Sequence, residues 1–397
     1  MKRGVVSMPA PEVRASILAE VDVSSIRSRF PVFRKKIYLN SCSQGALSDK
    51  VEAGFQDYLR SWHEHGSPWD LWVQHYEAAR EVFARLIGAN KDEVALVASA
   101  SAGVNGIASA LSFRDRNRVV LGEFEFPTMG HIWMAQRSRG AEVVFAPAEN
   151  GRLTVESYRA LINSKTLIVP MTHICYRNGF RMPAAEIIRM AHDEGALTLL
   201  DDYQDSGTRP IDVKAMDLDF YVSGTLKYLL GPPGLAFLYV RKALVESLTP
   251  TITGWFGQAN PFAFNEQLLE HAPNARRFES GTPPIPSIYG AAAGVELLQE
   301  IGLSKVAQHI KMLTSLLLER TSSLRIQTKT PPDSVGPLVV LKAKDAEALV
   351  RKFAEHDVVV SNRQDGLRIS FHIYNTPEDV EHACSLLERN LDFLVGI

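Results

Sequence analysis

A chain of 397 residues, 46% hydrophobic and 22% charged, has an ordinary globular composition and enough material for two or three domains around a large core. A formal net charge of −2, with basic residues scattered along the chain, gives no electrostatic reason to expect nucleic acid or an anionic membrane as partner. The three widely spaced cysteines, Cys42, Cys175 and Cys384, offer neither a disulfide framework nor a CxxC metal site, and no metal ligands are expected.

In chain order, Met1 to Val6 mimics the start of a signal peptide, but Pro9, Pro11, Glu12 and Arg14 interrupt it. No apolar run approaches the ~20 residues that span a bilayer, and a cytoplasmic location is expected. Residues 1–36 read as an arm with a short helix, part of the small domain. A strand at 37–39 enters a polar turn, Asn40 to Gly45, and helical patterns follow at about 51–64 and 72–87. From 94 to 240 short apolar runs alternate with helical stretches, at 94–97, 118–121, 143–145, 167–169, 197–200 and 235–240. This alternation predicts right-handed βαβ units and an α/β fold with a mostly parallel sheet, with ligands beyond the carboxyl ends of the strands. The tail, 338–394, mixes strands and helices as a small α+β domain. The expected division is a large domain over 37–285 and a small carboxyl-terminal domain over 286–397.

Two segments carry the chemistry. Leu199-Leu200-Asp201-Asp202-Tyr203-Gln204 delivers a carboxylate at a strand end. Ser223-Gly224-Thr225-Leu226-Lys227-Tyr228-Leu229-Leu230-Gly231-Pro232 sets a lysine among small, hydroxyl and apolar residues. Alone, Asp201 reads as a loop carboxylate or helix cap, and Lys227 as a surface lysine. Together, in this order, they match the needs of pyridoxal 5′-phosphate. A lysine whose burial favours the neutral amine forms the Schiff base, and an acid faces the pyridine nitrogen to keep the ring an electron sink.

On these residues the chain resembles the class V aminotransferase and cysteine desulfurase family of fold-type I pyridoxal-phosphate enzymes, from about Ile37 to Leu394. The matches are Asp201-x-x-Gln204 and Lys227 followed by an apolar pair and Gly231-Pro232. The resemblance implies that Asp201 pairs with the ring nitrogen and Gln204 with the ring hydroxyl. It implies that Ser101 and the Ala102 backbone hold the phosphate at a strand-to-helix turn, with Ser223 and Thr225 as further candidates. Phe126 would stack on the ring, and Arg368, with Arg363 second, would bind the substrate carboxylate. On pattern alone, Arg368 reads equally as an arginine on a solvent face.

Gly254-Trp255-Phe256-Gly257, Arg277 to Pro284, Phe126-Pro127-Thr128 and the run His173 to Gly179, with Tyr176, resemble kynureninase segments. The resemblance implies a homodimer in which Trp255 and Thr282 reach the partner's phosphate, and Tyr176 lies at the substrate. The run Gly66 to Trp72 is similar to the isopenicillin N epimerase branch. The departures are Leu226 before the lysine, Gln204 in place of histidine, and Cys175. No cysteine precedes Arg368 where desulfurases carry their nucleophile, so persulfide formation is not expected. The expected partner is a small-molecule substrate, an amino acid. Elimination or hydrolysis at Cβ, transamination and epimerisation stay open, with the kynureninase-like segments favouring Cβ chemistry. A silent cofactor-binding protein is the alternative outside catalysis. The GxGxxG, GxxxxGK and HExxH patterns are absent.

Overall fold

The computed structural model describes residues 22–396, so the outer part of the expected amino-terminal arm lies outside the described residues. Helix Val23–Ser28 leads to the short strand β1 (Ile37–Tyr38). Helices Asp49–His65 and Trp69–Leu86 follow; the first is capped by Ser48, whose Oγ accepts the Val51 N–H at 3.2 Å.

The main sheet is built from β2 (Val94–Val97), β3 (Arg118–Gly122), β4 (Glu142–Ala146), β5 (Thr166–Thr172), β6 (Leu197–Asp201), β7 (Phe220–Gly224) and β8 (Ala236–Val240). Their spatial order is β2-β8-β7-β6-β5-β3-β4, and only β8 runs against its neighbours. β2, β7 and β8 are buried at every residue, as expected of strands covered on both faces. Side chains alternate between two cores. Val120, Leu200, Tyr221 and Phe237 face the helices Trp69–Leu86 and Ile285–Ile301, whereas Val119, Leu199, Val222 and Leu238 face Ala100–Ala110 and Pro127–Ala135.

The six runs read from the sequence are all strands. The seventh, β7, was not among them. Helix Ile285–Ile301, placed in the small domain by the sequence boundary, packs on Asp49–His65 and Trp69–Leu86.

The remaining unit has an antiparallel sheet of β9 (Leu338–Lys342), β11 (Ser361–Arg363) and β12 (Gly366–Ser370), with β10 (Val358–Val359) pairing β1 in parallel. Helices Leu303–Ser323, Ala346–Ala354 and Pro377–Arg389 cover it around a third core that includes Leu39, Leu341, Phe353 and Ile369. The early chain is tied to it by Arg27, which pairs with Asp379 at 2.7 Å. Among the described residues no helix is long and apolar enough to cross a membrane.

Candidate active site

The carboxyl ends of β5, β6 and β7 and the amino end of helix Ala100–Ala110 surround a cavity of about 310 Å³. Its lining includes Ser101, Phe126, Tyr176, Asp201, Gln204 and Lys227, together with Ser43, Thr128, Thr172, Tyr203 and Leu226.

Lys227 follows β7 on a tightly constrained turn. The Thr225 N–H and hydroxyl both donate to the Leu235 carbonyl at 3.2 Å. Two glycines grip the backbone from either side: a Cβ on Gly45 would strike the Lys227 carbonyl, and one on Gly207, at φ +96°, would strike that of Tyr228. The ammonium lies 4.4 Å from the Tyr203 ring centroid and 6.0 Å from that of Phe126. Burial lowers the Lys227 pKa from 10.5 to about 8, with the Asp201 charge holding it up in part.

Asp201 ends β6, and its Oδ1 accepts the Tyr203 N–H at 3.1 Å. Burial pushes its pKa from 3.8 to about 6. Gln204 donates through Nε2 to the Cys42 carbonyl at 3.2 Å, while its buried Oε1 has no partner. Phe126 is 45% exposed at the cavity mouth and meets Tyr176 edge-on, centroids 5.1 Å apart.

At the helix end, the Ser99 hydroxyl already caps the Ala102 N–H at 3.1 Å. The Ser101 hydroxyl is turned to Thr128 Oγ1 at 3.4 Å, and Ala102 itself does not line the cavity. Ser223 and Thr225 are buried behind Lys227, their hydroxyls spent on backbone carbonyls. Trp255 sits in an aromatic cluster with Trp69, Phe256 and Phe264, and Thr282 is exposed; neither lines the cavity of its own chain.

Arg368 points inward and is 1% exposed. Its guanidinium donates to Ser43 Oγ at 2.9 Å, Ser361 Oγ at 3.0 Å and the Tyr176 carbonyl at 3.2 Å. All three are neutral, and among the described residues no ion pair reaches it, so a buried positive charge sits beside two cavity-lining residues, Ser43 and Tyr176. Arg363 is exposed on β11 and donates to the adjacent Asn362 carbonyl. β11 and β12 form a hairpin closed by Gln364 and Asp365 alone, with Arg363 opposite Gly366. The turn itself contains no cysteine.

Sequence reasoning missed Tyr203, Ser43, Thr128 and Glu125. Tyr203 had one available signal, the adjacent Gly224: its ring lies so close that any Cβ there would overlap it. Glu125 accepts the Thr172 N–H at 3.0 Å and leaves Oε2 without a partner; burial, with Asp201 nearby, holds it well above the usual carboxylate range. On the other side of Asp201, His173, Asp202 and Asp205 bring ligand-type atoms within 4.8 Å of one another. The Arg209 guanidinium supplies the positive charge there, 2.6 Å from both His173 Nε2 and Asp205 Oδ2.

Residues 46–382 match the family model described as aminotransferase class-V. The chain belongs to this family. It is 35% identical to an uncharacterized aminotransferase, YcbU, of Bacillus subtilis, over 90% of this chain and 95% of that protein. It is 27% identical to a cysteine desulfurase of Haloferax volcanii, over 91% of this chain and 95% of the other. The solved cysteine desulfurase of Thermococcus onnurineus shares the fold, with a TM-score of 0.84 at 21% identity over 98% of this chain and all of that one.

As a class-V member the protein is a pyridoxal-phosphate-dependent enzyme, and its cavity suits the group. A depressed lysine, a carboxylate across from it, an orphaned amide oxygen able to accept a hydroxyl and a capped helix end all open on the same space.

Proposed function

We propose that this enzyme takes an L-amino acid through Lys227 and breaks a bond at its Cβ, as a lyase or a kynureninase-like hydrolase. The observation that carries amino-acid chemistry is the pairing of Lys227 and Asp201 across one cavity, with the anion-free Arg368 behind its wall. The Cβ reading is supported by the aromatic mouth that Phe126 and Tyr176 form, both from kynureninase-like segments, which suits an aromatic or thioether side chain.

Bound pyridoxal phosphate supplies an aldehyde carbon for the amine and a ring that draws electrons from Cα. The rest is the work of the chain. With a pKa near 8, roughly a tenth of Lys227 is neutral at pH 7, against about one in three thousand at 10.5. Lys227 then serves as the base that takes the proton from Cα and returns it at the end. Asp201, mostly ionised at pH 7, holds a proton on the ring nitrogen. Gln204 would orient the ring hydroxyl and Ser101 with the helix end would take the phosphate, while Ser223, Thr225 and Ala102 lie behind that lining and support it. Arg368 grips the substrate carboxylate with its fork, which fixes the bond to be broken, and Arg363 adds positive potential outside. Tyr203 and Phe126 keep water off the lysine. A homodimer with Trp255 and Thr282 reaching the partner's site is part of the proposal. The exposed Phe264, Leu268 and Leu269 near Trp255 favour a covered face.

Transamination is the second reading, favoured by the Bacillus subtilis relative described as an aminotransferase. Incubating the holoenzyme with L-amino acids, kynurenine and cysteine derivatives among them, without a keto acid separates the two. Repeated turnover with products cleaved at Cβ supports the proposal. A single turnover that leaves pyridoxamine phosphate overturns it in favour of transamination, and an inverted Cα in otherwise unchanged substrate overturns it in favour of epimerisation.

A further inference from the structure

A second cavity, of about 850 Å³, shares no lining residue with the Lys227 site. It is a cleft between the two parts of the molecule. One wall carries Arg152, Arg181 and Arg209; the other carries Lys311 on helix Leu303–Ser323 and the segment 332–337.

Its charges are unevenly matched. Arg152 is paired with Asp333, and Arg209 donates to Asp205 at 2.6 Å. Asp205 is fully committed, since it also accepts the Thr208 hydroxyl and lies 3.5 Å from His173. Arg181 reaches it only at 3.7 Å, its side chain makes none of the hydrogen bonds found among the described residues, and its buried Nε has no partner. Lys311, exposed on the opposite wall, has no ion pair among the described residues. The remaining anion in the lining is the exposed Glu186. Arg181 and Lys311 set against Glu186 leave a surplus of one positive charge. Burial, aggravated by the neighbouring Arg209 charge, depresses the Arg181 guanidinium although Asp205 opposes the effect. Only Nε is shut off from water; the Arg181 side chain is 31% exposed and lines the cleft, where it is available to an incoming acceptor. Between the cations the lining is mixed: Leu318 and Val335 are partly exposed over the buried Phe180, Met182 and Ile310, with Thr154 and Ser315 among them.

We propose that this cleft is a second ligand site that takes a monocarboxylate with an apolar body, its head held between Arg181 and Lys311. The single surplus charge selects a monoanion over a dianionic phosphate, and the apolar part of the lining selects a chain or ring over a bare ion. An occupant would bridge helix Leu303–Ser323 to the large sheet. It would also bear on Arg209, which donates to His173 Nε2 at 2.6 Å, and His173 in turn bonds Asp202 at 2.6 Å. Asp202 is the residue after Asp201, and the His173 N–H bonds the Asp201 carbonyl at 2.9 Å. The cleft is thereby wired to the strand end that holds the cofactor's carboxylate, and the site is regulatory in character.

The test is calorimetric titration of the holoenzyme with hexanoate, phenylacetate, acetate and inorganic phosphate. Hexanoate or phenylacetate is expected to bind saturably at one site per chain, more tightly than acetate or phosphate. That binding is expected to weaken at least tenfold in Lys311→Gln, an exposed change that spares the fold, and in Arg181→Gln, and to persist in Arg368→Lys. Loss in Arg368→Lys with retention in Lys311→Gln would place the carboxylate in the substrate site and overturn the proposal. So would phosphate binding more tightly than both organic acids, or the absence of saturable binding by either.

Discussion

Replacing Asp201 by asparagine tests the electrostatics of the site without any turnover. The carboxyl is raised from 3.8 to about 6 by burial, so ionising it costs the folded apoprotein stability. The sign follows from proton linkage. Between pH 4 and 6 the folded state binds more protons at this group than the unfolded one, so the wild type loses stability from this group as pH rises through that window, and the loss levels off above it. At about 1.4 kcal/mol per pKa unit, the penalty is about 3 kcal/mol at pH 7.5 and about half that at pH 5. Asparagine keeps the oxygen that accepts the Tyr203 N–H and does not ionise, so it removes the penalty. The attraction of Lys227, which pulls the Asp201 pKa down, is already contained in the value of about 6, so the figure of about 3 kcal/mol is a net one. Urea unfolding of cofactor-stripped protein, followed by tryptophan fluorescence, should give the variant the higher midpoint at pH 7.5 and a smaller advantage at pH 5. It should also bind pyridoxal phosphate more weakly. Equal midpoints, or the same advantage at both pH values, would refute a desolvated carboxylate.

Three other substitutions have defined outcomes. Lys227→Ala should lower turnover by at least about a thousandfold with every amino acid, and a variant retaining most of its rate in a steady-state assay would remove the lysine from the chemistry. Arg368→Lys, which loses the planar fork, should raise KM for the amino acid by roughly 30-fold or more, about 2 kcal/mol, with little change in cofactor affinity. Glu279→Gln removes the buried one of the two carboxylates that hold Arg80, 2.5 Å from it, and leaves the half-exposed Glu77 at 3.0 Å. It should destabilise the fold by about 1.5–3 kcal/mol in denaturant unfolding, and Arg80→Met added to it should restore part of that.

What the sequence made legible was what sits in contiguous order. Asp201, Gln204 and Lys227 lie on two short segments at strand ends, where the βαβ rule points to ligands. The inward direction of Arg368 was not legible, because β12 is buried at every position and an alternating pattern then names no solvent side. Ser43 and Tyr203 join the site through contacts far apart in sequence, which no local period encodes. Helix Ile285–Ile301 is buried around most of its circumference, so it lacks the polar stripe that marks an amphipathic helix, and its packing on Asp49–His65 and Trp69–Leu86 is not legible from its pattern. β7 is hard to read because its apolar run is only Phe220 to Val222 before the small residues Ser223 and Gly224. The proposed phosphate cradle reads in the sequence as small residues near a helix start. The structure adds that Ser99 already caps Ala102, a hydrogen bond visible only in three dimensions.

The most direct test of the central claim is to add pyridoxal phosphate to the pure protein, reduce it with borohydride, and locate the pyridoxyl group by peptide mass spectrometry. The account predicts one modified peptide per chain, carrying the group on Lys227, and none in Lys227→Ala. A label on another lysine, or none at all, would contradict it.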